Sequence, residues 1–236
     1  MSHARSQSSR FVPLLVSSLL FAQAVGFVAH FVAAAELPFT TVEKDPLRWY
    51  DAKEIGVEGR GWTDVQSYYD RLPAKAEKTV PGSVWGLSHH SAGMLVRFQA
   101  STPSIAVRWT LHSDRLAMPH MAATGVSGVD LYGRNEKGQW RWISGGRPTL
   151  KANKATLASE LPPGEREYLL YLPLYNGVSD VQIGWPADAK INRSENPAAK
   201  RKPIVFYGTS IMQGACASRP GMAHAAILGR RLDRPV

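Results

Sequence analysis

From about residue 36 to residue 189, apolar side chains recur at every second position, the period that places them on one face of a strand. Ile105, Val107, Trp109 and Leu111 alternate with Ala106, Arg108 and Thr110. The same reading predicts strands at residues 94–98, 129–132, 139–143, 167–172 and 181–184, and one or two helical turns at residues 64–72. Residues 135–138, Asn-Glu-Lys-Gly, carry the Asn and Gly of a hairpin turn between two of those strands. Trp140 and Trp142 share parity, so one face of their strand holds both, as a core layer or a shared pocket. Many short strands with Gly and Pro turns, and no alternating helices, point to an antiparallel β-sandwich of the jelly-roll kind.

The pattern changes at both ends. Arg5 and Arg10 precede an apolar run from residue 11 to residue 35 that closes on Ala33, Ala34 and Ala35. Small residues at the last and third-last positions suit a signal peptidase, so residues 1–35 read as a signal peptide cleaved after Ala35, with export to the periplasm or outside the cell. Uncleaved, the same run is long enough to anchor the chain in a membrane. At the other end, residues 190–203 are polar, basic and proline-bracketed, the composition of a linker. Ile204, Val205, Phe206 and Tyr207 then form a continuous apolar run, as expected of a strand buried on both faces of a parallel sheet. A turn at Gly208-Thr209-Ser210 follows. A helix is predicted from about Pro220 to Asp233, capped by Ser218, with Met222, Ala225, Gly229 and Leu232 on one face.

Charge narrows the function classes. The net charge is +9, but residues 36–189 carry 17 basic and 17 acidic side chains, while residues 190–236 carry 9 and 2. The excess sits in the linker and near the C-terminus rather than on a face interleaved with stacking groups, which argues against nucleic acid as a partner. The single cysteine, Cys216, excludes an intrachain disulfide, and no cluster has zinc-ligand spacing, so neither a metal nor another cofactor is expected.

A strand, then Gly208-Thr209-Ser210-Ile211-Met212-Gln213-Gly214, then a helix places a serine hydroxyl at the carboxyl end of a parallel strand, where ligands bind in open α/β sheets. Ser210 is the candidate nucleophile, and its backbone N–H a candidate oxyanion donor. Ser and Thr are also ordinary capping residues in such turns, and the residues alone leave both readings open. A nucleophilic serine needs a base within hydrogen-bond reach, itself oriented by a partner. Of the seven histidines, His224 lies on the following helix, His89 and His90 precede a strand, and His120 is a candidate for the rim of an active site. Cys216 has no identifiable base. The tryptophans are candidates for the core or for a platform that stacks on sugar rings.

The run from Phe206 to Ile211 with Gln213-Gly214, continued by Ala217-Ser218-Arg219-Pro220-Gly221-Met222, resembles the first sequence block of the SGNH (GDSL-like) hydrolases in its Gly-Thr-Ser form. Independently, Gly128-Val129-Asp130-Leu131-Tyr132 resembles the Gly-x-Asp-Leu-Tyr signature of an N-terminal domain attached to one SGNH esterase subfamily. Trp49-Tyr50-Asp51, Tyr69-Asp70-Arg71-Leu72-Pro73, Ser91-Ala92-Gly93 and Tyr171-Leu172-Pro173-Leu174-Tyr175 are similar to that domain too.

The resemblance implies a sandwich domain at residues 36–189, the linker at 190–203, and at 204–236 the truncated first βα unit of a flavodoxin-like α/β hydrolase domain. It implies acyl-enzyme chemistry at Ser210 on acylated carbohydrates or other small esters. The family's glycine and asparagine oxyanion donors and its Asp-x-x-His block have no counterpart in this sequence, so this chain alone is expected to be inactive. The competing expectation is a non-catalytic carbohydrate-binding or interaction domain, exported or membrane-anchored.

Overall fold

The structure is a computed structural model that describes residue 39, residues 45–194 and residues 201–236. The predicted signal peptide and its cleavage point lie outside the described residues, as does part of the predicted linker. The described residues belong to one compact unit, Ala35–Val236. Among them, no helix is long and apolar enough to cross a membrane.

Two antiparallel sheets make up most of this unit. Strands β1 (Leu47–Asp51), β9 (Val178–Pro186), β4 (Ile105–Leu111) and β7 (Ala152–Ala158) form the first, in the order β1-β9-β4-β7. The second has the order β10-β3-β8-β5-β6: β10 (Lys190–Arg193), β3 (Leu95–Ser101), β8 (Arg166–Tyr171), β5 (Val129–Arg134) and β6 (Trp140–Gly146). The short β2 (Val57–Glu58) also pairs with β3.

The inner faces of the two sheets share one core. Val107, Trp109, Val181, Ile183 and Trp185 from the first sheet meet Val96, Phe98, Leu131, Tyr168 and Leu170 from the second. Each such side chain contributes about 1.5–3 kcal/mol by leaving water, so alternation along the strands dictates which face turns inward. Trp109 also donates its indole N–H to the Ser127 carbonyl at 3.0 Å, which satisfies the one polar group it buries.

The outer face of the second sheet is covered as well. Leu95, Leu169, Tyr171 and Tyr132 project from it and pack with Met121, Val126, Leu174, Ala223 and Ala226. The last two belong to the C-terminal segment, which contains the one-turn helix α4 (Ser210–Gln213), a 3-10 turn at Pro220–Met222 and helix α5 (His224–Leu232). Short helices α1 (Ala52–Ile55), α2 (Gly82–Ser88) and α3 (Ala123–Val126) sit between strands.

Several expectations need correction. Residues 190–193, assigned to a linker, pair with β3 as β10. Ile204–Tyr207 is not a strand among the described residues. Its one backbone link to another segment runs from Ile204 N–H to the Pro235 carbonyl at 2.9 Å, and Val205 and Tyr207 are 82% and 89% exposed. A parallel strand needs neighbours on both edges and cover on both faces, and these residues have neither. The predicted helix begins at His224, not Pro220, and Ser218 does not cap it. Its docked face is Ala223 and Ala226, while Met222 and Leu232 are exposed. Residues 64–72 form bends around a turn in which Asp70 N–H donates to the Ser67 carbonyl, rather than a helix.

Candidate functional site

Ser210 opens α4, with Thr209 as its N-cap residue in an extended conformation. The serine is exposed, and among the described residues its hydroxyl has no hydrogen-bond partner. Gly214 ends the helix at φ 100°, a left-handed conformation that glycine adopts without the Cβ clash other residues meet. Cys216 takes the same region at φ 59° in the turn that follows; it is exposed and unpaired.

A helix of one turn does not hold itself together, so its position depends on what grips it. Gln213 is held by three groups from the sheet-forming part of the chain. Its amide nitrogen donates to the Leu174 carbonyl at 2.9 Å and lies 3.0 Å from His90 Nδ1, while its side-chain oxygen accepts from Arg71 Nη2 at 3.1 Å. The His90 contact requires the neutral ring with Nδ1 as acceptor. Burial, reinforced by the Arg71 guanidinium, pushes His90 down to about 4 and keeps it in that form. Tyr175 adds a fourth tie, its hydroxyl donating to the Ser210 carbonyl at 2.9 Å.

The platform beneath these contacts is built from two loops. Arg71 Nε donates to the His90 carbonyl at 2.9 Å, and His89 Nδ1 lies 2.9 Å from the buried carboxylate of Asp70. Ser91, fully buried, donates to the Pro173 carbonyl at 2.9 Å and fixes the strap that carries Leu174 and Tyr175.

The segment after α4 is gripped at a second place. Asp130, on the outer face of β5, has a fully buried carboxylate. One oxygen accepts from Gly221 N–H at 3.0 Å and lies 3.2 Å from Arg219 Nε; the other accepts from Trp142 Nε1 at 2.6 Å. Burial raises Asp130 to about 6, outweighing the opposing pull of Trp142, Arg219 and the Gly221 amide. Nearby, Thr124 Oγ1 donates to the Ser218 carbonyl and Arg230 donates to the Gly221 carbonyl at 2.6 Å while stacking 3.9 Å over Tyr132. The fit leaves no room for side chains: a Cβ on Gly221 would overlap the Tyr132 ring, and one on Gly125 would overlap the Ala217 carbonyl.

The structure brings some candidate residues together and leaves others apart. His90 reaches the helix that Ser210 opens, through Gln213 rather than the serine. His224 Nε2 lies 3.2 Å from Met212 Sδ, and its ring meets Phe206 edge-on at 5.4 Å. His120 is exposed in the turn closed by the Met118–Met121 bridge, and no hydrogen bond joins it to Ser210 among the described residues. Trp140 and Trp142 do share a face, but it is the outer one, where the C-terminal segment docks. There Arg134 stacks 4.4 Å over Trp140 and Arg219 4.7 Å over Trp142. Trp49, Trp109 and Trp185 are buried. Among the described residues no group of three His, Cys, Asp or Glu side chains is placed to hold a metal ion.

Sequence reasoning did not assign roles to Arg71, Asp130, Tyr175 and Gln213. The signal lay in the quoted motifs, since each of the four falls inside one of them.

The scaffold is thus two sheets whose strand β5, carrying Gly128-Val129-Asp130-Leu131-Tyr132, receives the segment that follows the Gly-Thr-Ser turn. Residues 47–191 match the GxDLY family, described as the N-terminus of SGNH-hydrolase-type esterases, and the chain belongs to that family. Residues 201–236 match the GDSL-like lipase/acylhydrolase family. Among solved structures, a protein described as a GDSL-like lipase from Bacteroides ovatus ATCC 8483 is 35% identical with a TM-score of 0.72, covering 78% of this chain and 53% of its own. A salicylyl-acyltransferase from a tetracycline biosynthetic pathway shares the fold at 17% identity and a TM-score of 0.55, covering 84% of this chain and 52% of its own. The chain thus spans about half the length of these structures. No curated protein matches it.

Proposed function

We propose that this chain is the exported N-terminal part of a serine ester hydrolase in which Ser210 is the nucleophile and its backbone N–H an oxyanion donor. The observation that carries the proposal is the exposed Ser210 hydroxyl at the start of α4, on a helix held in place by Gln213 and Tyr175. In the first turn of a helix the N–H of such a residue has no intrahelical acceptor, which leaves it available to a developing oxyanion. Membership in a family of ester hydrolases supports the reaction class.

In this reading Ser210 Oγ attacks the ester carbonyl, a base takes its proton, and the alcohol leaves to give an acyl-serine that water hydrolyses. None of the described histidines bonds to the serine, and we propose that the base comes from elsewhere. A chain that spans about half the length of its solved relatives is in keeping with a base supplied from further sequence. Acylated carbohydrates or small esters are the proposed substrates, with residues 1–35 removed on export. We read the paired sheets as a jelly-roll-like sandwich and residues 204–236 as the start of the hydrolase domain.

The test is hydrolysis of a chromogenic acetate ester and an acetylated sugar by this chain and by the chain extended through an Asp-x-x-His block. We expect turnover only in the extended enzyme, abolished by Ser210→Ala. Turnover that survives Ser210→Ala would remove Ser210 from the mechanism. Sequencing the exported protein should find Glu36 at its N-terminus; a chain still beginning near Met1 would contradict cleavage.

A further inference from the structure

We infer that Asp130, the acidic residue of the Gly128-Val129-Asp130-Leu131-Tyr132 signature, is a positioning residue for Ser210, acting by anchoring residues 217–221. The inference rests on the reading of Ser210 as nucleophile. It starts from an oddity of placement. Asp130 alternates with the core residues Val129 and Leu131, so its side chain leaves β5 on the outer face, where a carboxylate is ordinarily solvated. Here it is fully buried, at a desolvation cost that packing alone would not require.

Its partners explain the burial. Two of the three, the Gly221 N–H and Arg219, come from the C-terminal segment; the third, the Trp142 indole, comes from β6. Arg219 in turn lies over the Trp142 ring, so the carboxylate, the cation and the aromatic close on one another. Apolar contacts of Ala223 and Ala226 hold the segment against the sheet without fixing its register, because small side chains slide at little cost. The directional bond from Gly221 N–H to the carboxylate, with the Arg219 ion pair beside it, favours one register.

The anchor is connected to the serine by a short, internally bonded path. Ala215 N–H donates to the Ser210 carbonyl at 2.8 Å and Ala217 N–H to the Gly214 carbonyl at 3.1 Å. Thr124 then holds the Ser218 carbonyl, and Asp130 the Gly221 amide. The helix that Ser210 opens is thus fixed at Gln213 from one side and, through residues 214–221, at Asp130 from the other. Attack on an ester tolerates little error, since a displacement of about 1 Å costs on the order of a hundredfold in rate.

The experiment is hydrogen–deuterium exchange on the 236-residue chain carrying Asp130→Asn, Arg219→Gln or both, comparing peptides from residues 210–222 with peptides from β4 and β9. Each single variant should speed exchange across 210–222 by about tenfold or more and leave β4 and β9 unchanged. The double variant should exchange no faster than the faster single variant, because both break one anchor. Unchanged exchange at 210–222, an equal rise throughout the sheets, or additive effects would overturn the inference. Should Asp130→Asn fail to fold, Arg219→Gln, at a partly exposed side chain, carries the test by the same two criteria. In the extended enzyme, Asp130→Asn should lower kcat by about tenfold or more with KM within about twofold, and an unchanged kcat would overturn it. Exchange does not depend on the chemistry at Ser210. Anchoring seen by exchange while Ser210→Ala keeps its turnover would therefore discard the nucleophile reading alone.

Discussion

Two of the ionisable groups that grip the C-terminal segment, Asp130 and His90, are displaced in opposite directions. Asp130 is raised by burial to about 6, and His90 is lowered to about 4, mainly by burial. The folded chain holds a proton on Asp130 that the unfolded chain would release above its ordinary value of 3.8. Stability from this group is therefore fully present below pH 3.8 and lost as pH rises through about 6, by about 3 kcal/mol. His90 has the opposite sign. Its stabilisation is present above its ordinary 6.5 and is lost as pH falls toward about 4, and because the ring is only half-buried we put its share at about 2 kcal/mol.

In the unaltered chain these slopes nearly cancel between pH 4 and pH 6.5, leaving about 1 kcal/mol or less from the pair. Removing either group should expose the other. Asp130→Asn should make stability rise with pH across that window, by about 2 kcal/mol or about 4–8 °C in Tm. His90→Gln should make it fall with pH by about 3 kcal/mol. The offset that each substitution adds at every pH does not matter, because the sign of the slope is the readout. His112 is shifted in the same sense as His90, and Asp180 in the same sense as Asp130, and both remain in each variant. Asp45, held down at about 2 chiefly by Lys154, titrates below the window. Thermal or urea unfolding at half-unit pH steps decides the matter: slopes of the same sign in the two variants would refute the reasoning.

Other substitutions probe single contacts. Gly221→Ala drives a methyl into the Tyr132 ring and within 2.6 Å of Asp130 Oδ2, and should cost about 1–3 kcal/mol in urea unfolding with loss of amide protection in α5. Trp109→Ala empties the centre of the core and orphans the Ser127 carbonyl; it should cost about 3–5 kcal/mol, lowering Tm by on the order of 10 °C in a thermal melt. Tyr175→Phe removes one neutral hydrogen bond to the Ser210 carbonyl, so unfolding should shift by about 1 kcal/mol or less while exchange in α4 quickens.

How much of this was legible in the sequence depends on where each segment's partners lie. The period-two alternation of Ile105, Val107, Trp109 and Leu111 found β4 at its observed bounds, because that strand is central and its inward face is wholly apolar. β7 escaped notice since it lies on a sheet edge, where Ala152, Asn153, Lys154 and Ala155 need no apolar face over most of their length. β10 was hidden for a related reason: Lys190, Asn192 and Arg193 have a linker's composition, and only their register against residues 98–101 makes them a strand. Ile204 to Tyr207 erred in the other direction. Their apolar run has a strand's composition, but pairing partners, not composition, make a strand.

The site shows the same division more sharply. Ser210 was visible because Gly208, Thr209 and Ser210, the residues of its turn, are adjacent in sequence. Its supports were not, because Arg71 lies 142 positions from Gln213, and Asp130 lies 91 from Gly221. Nothing in the local pattern around Asp130 says that an outward-facing aspartate is buried, since local periodicity reports a face and not what covers it. The covering segment is basic at Arg219 and Arg230 and glycine-bearing at Gly221, and each of these features is unremarkable until it meets Asp130 and Tyr132. Two motifs that looked independent, Gly-x-Asp-Leu-Tyr and the Gly-Thr-Ser block, thus meet at one contact, between Asp130 of the first and Arg219 and Gly221 in the continuation of the second. A change in the first should therefore be felt at the second, even though no residue of the signature touches the serine.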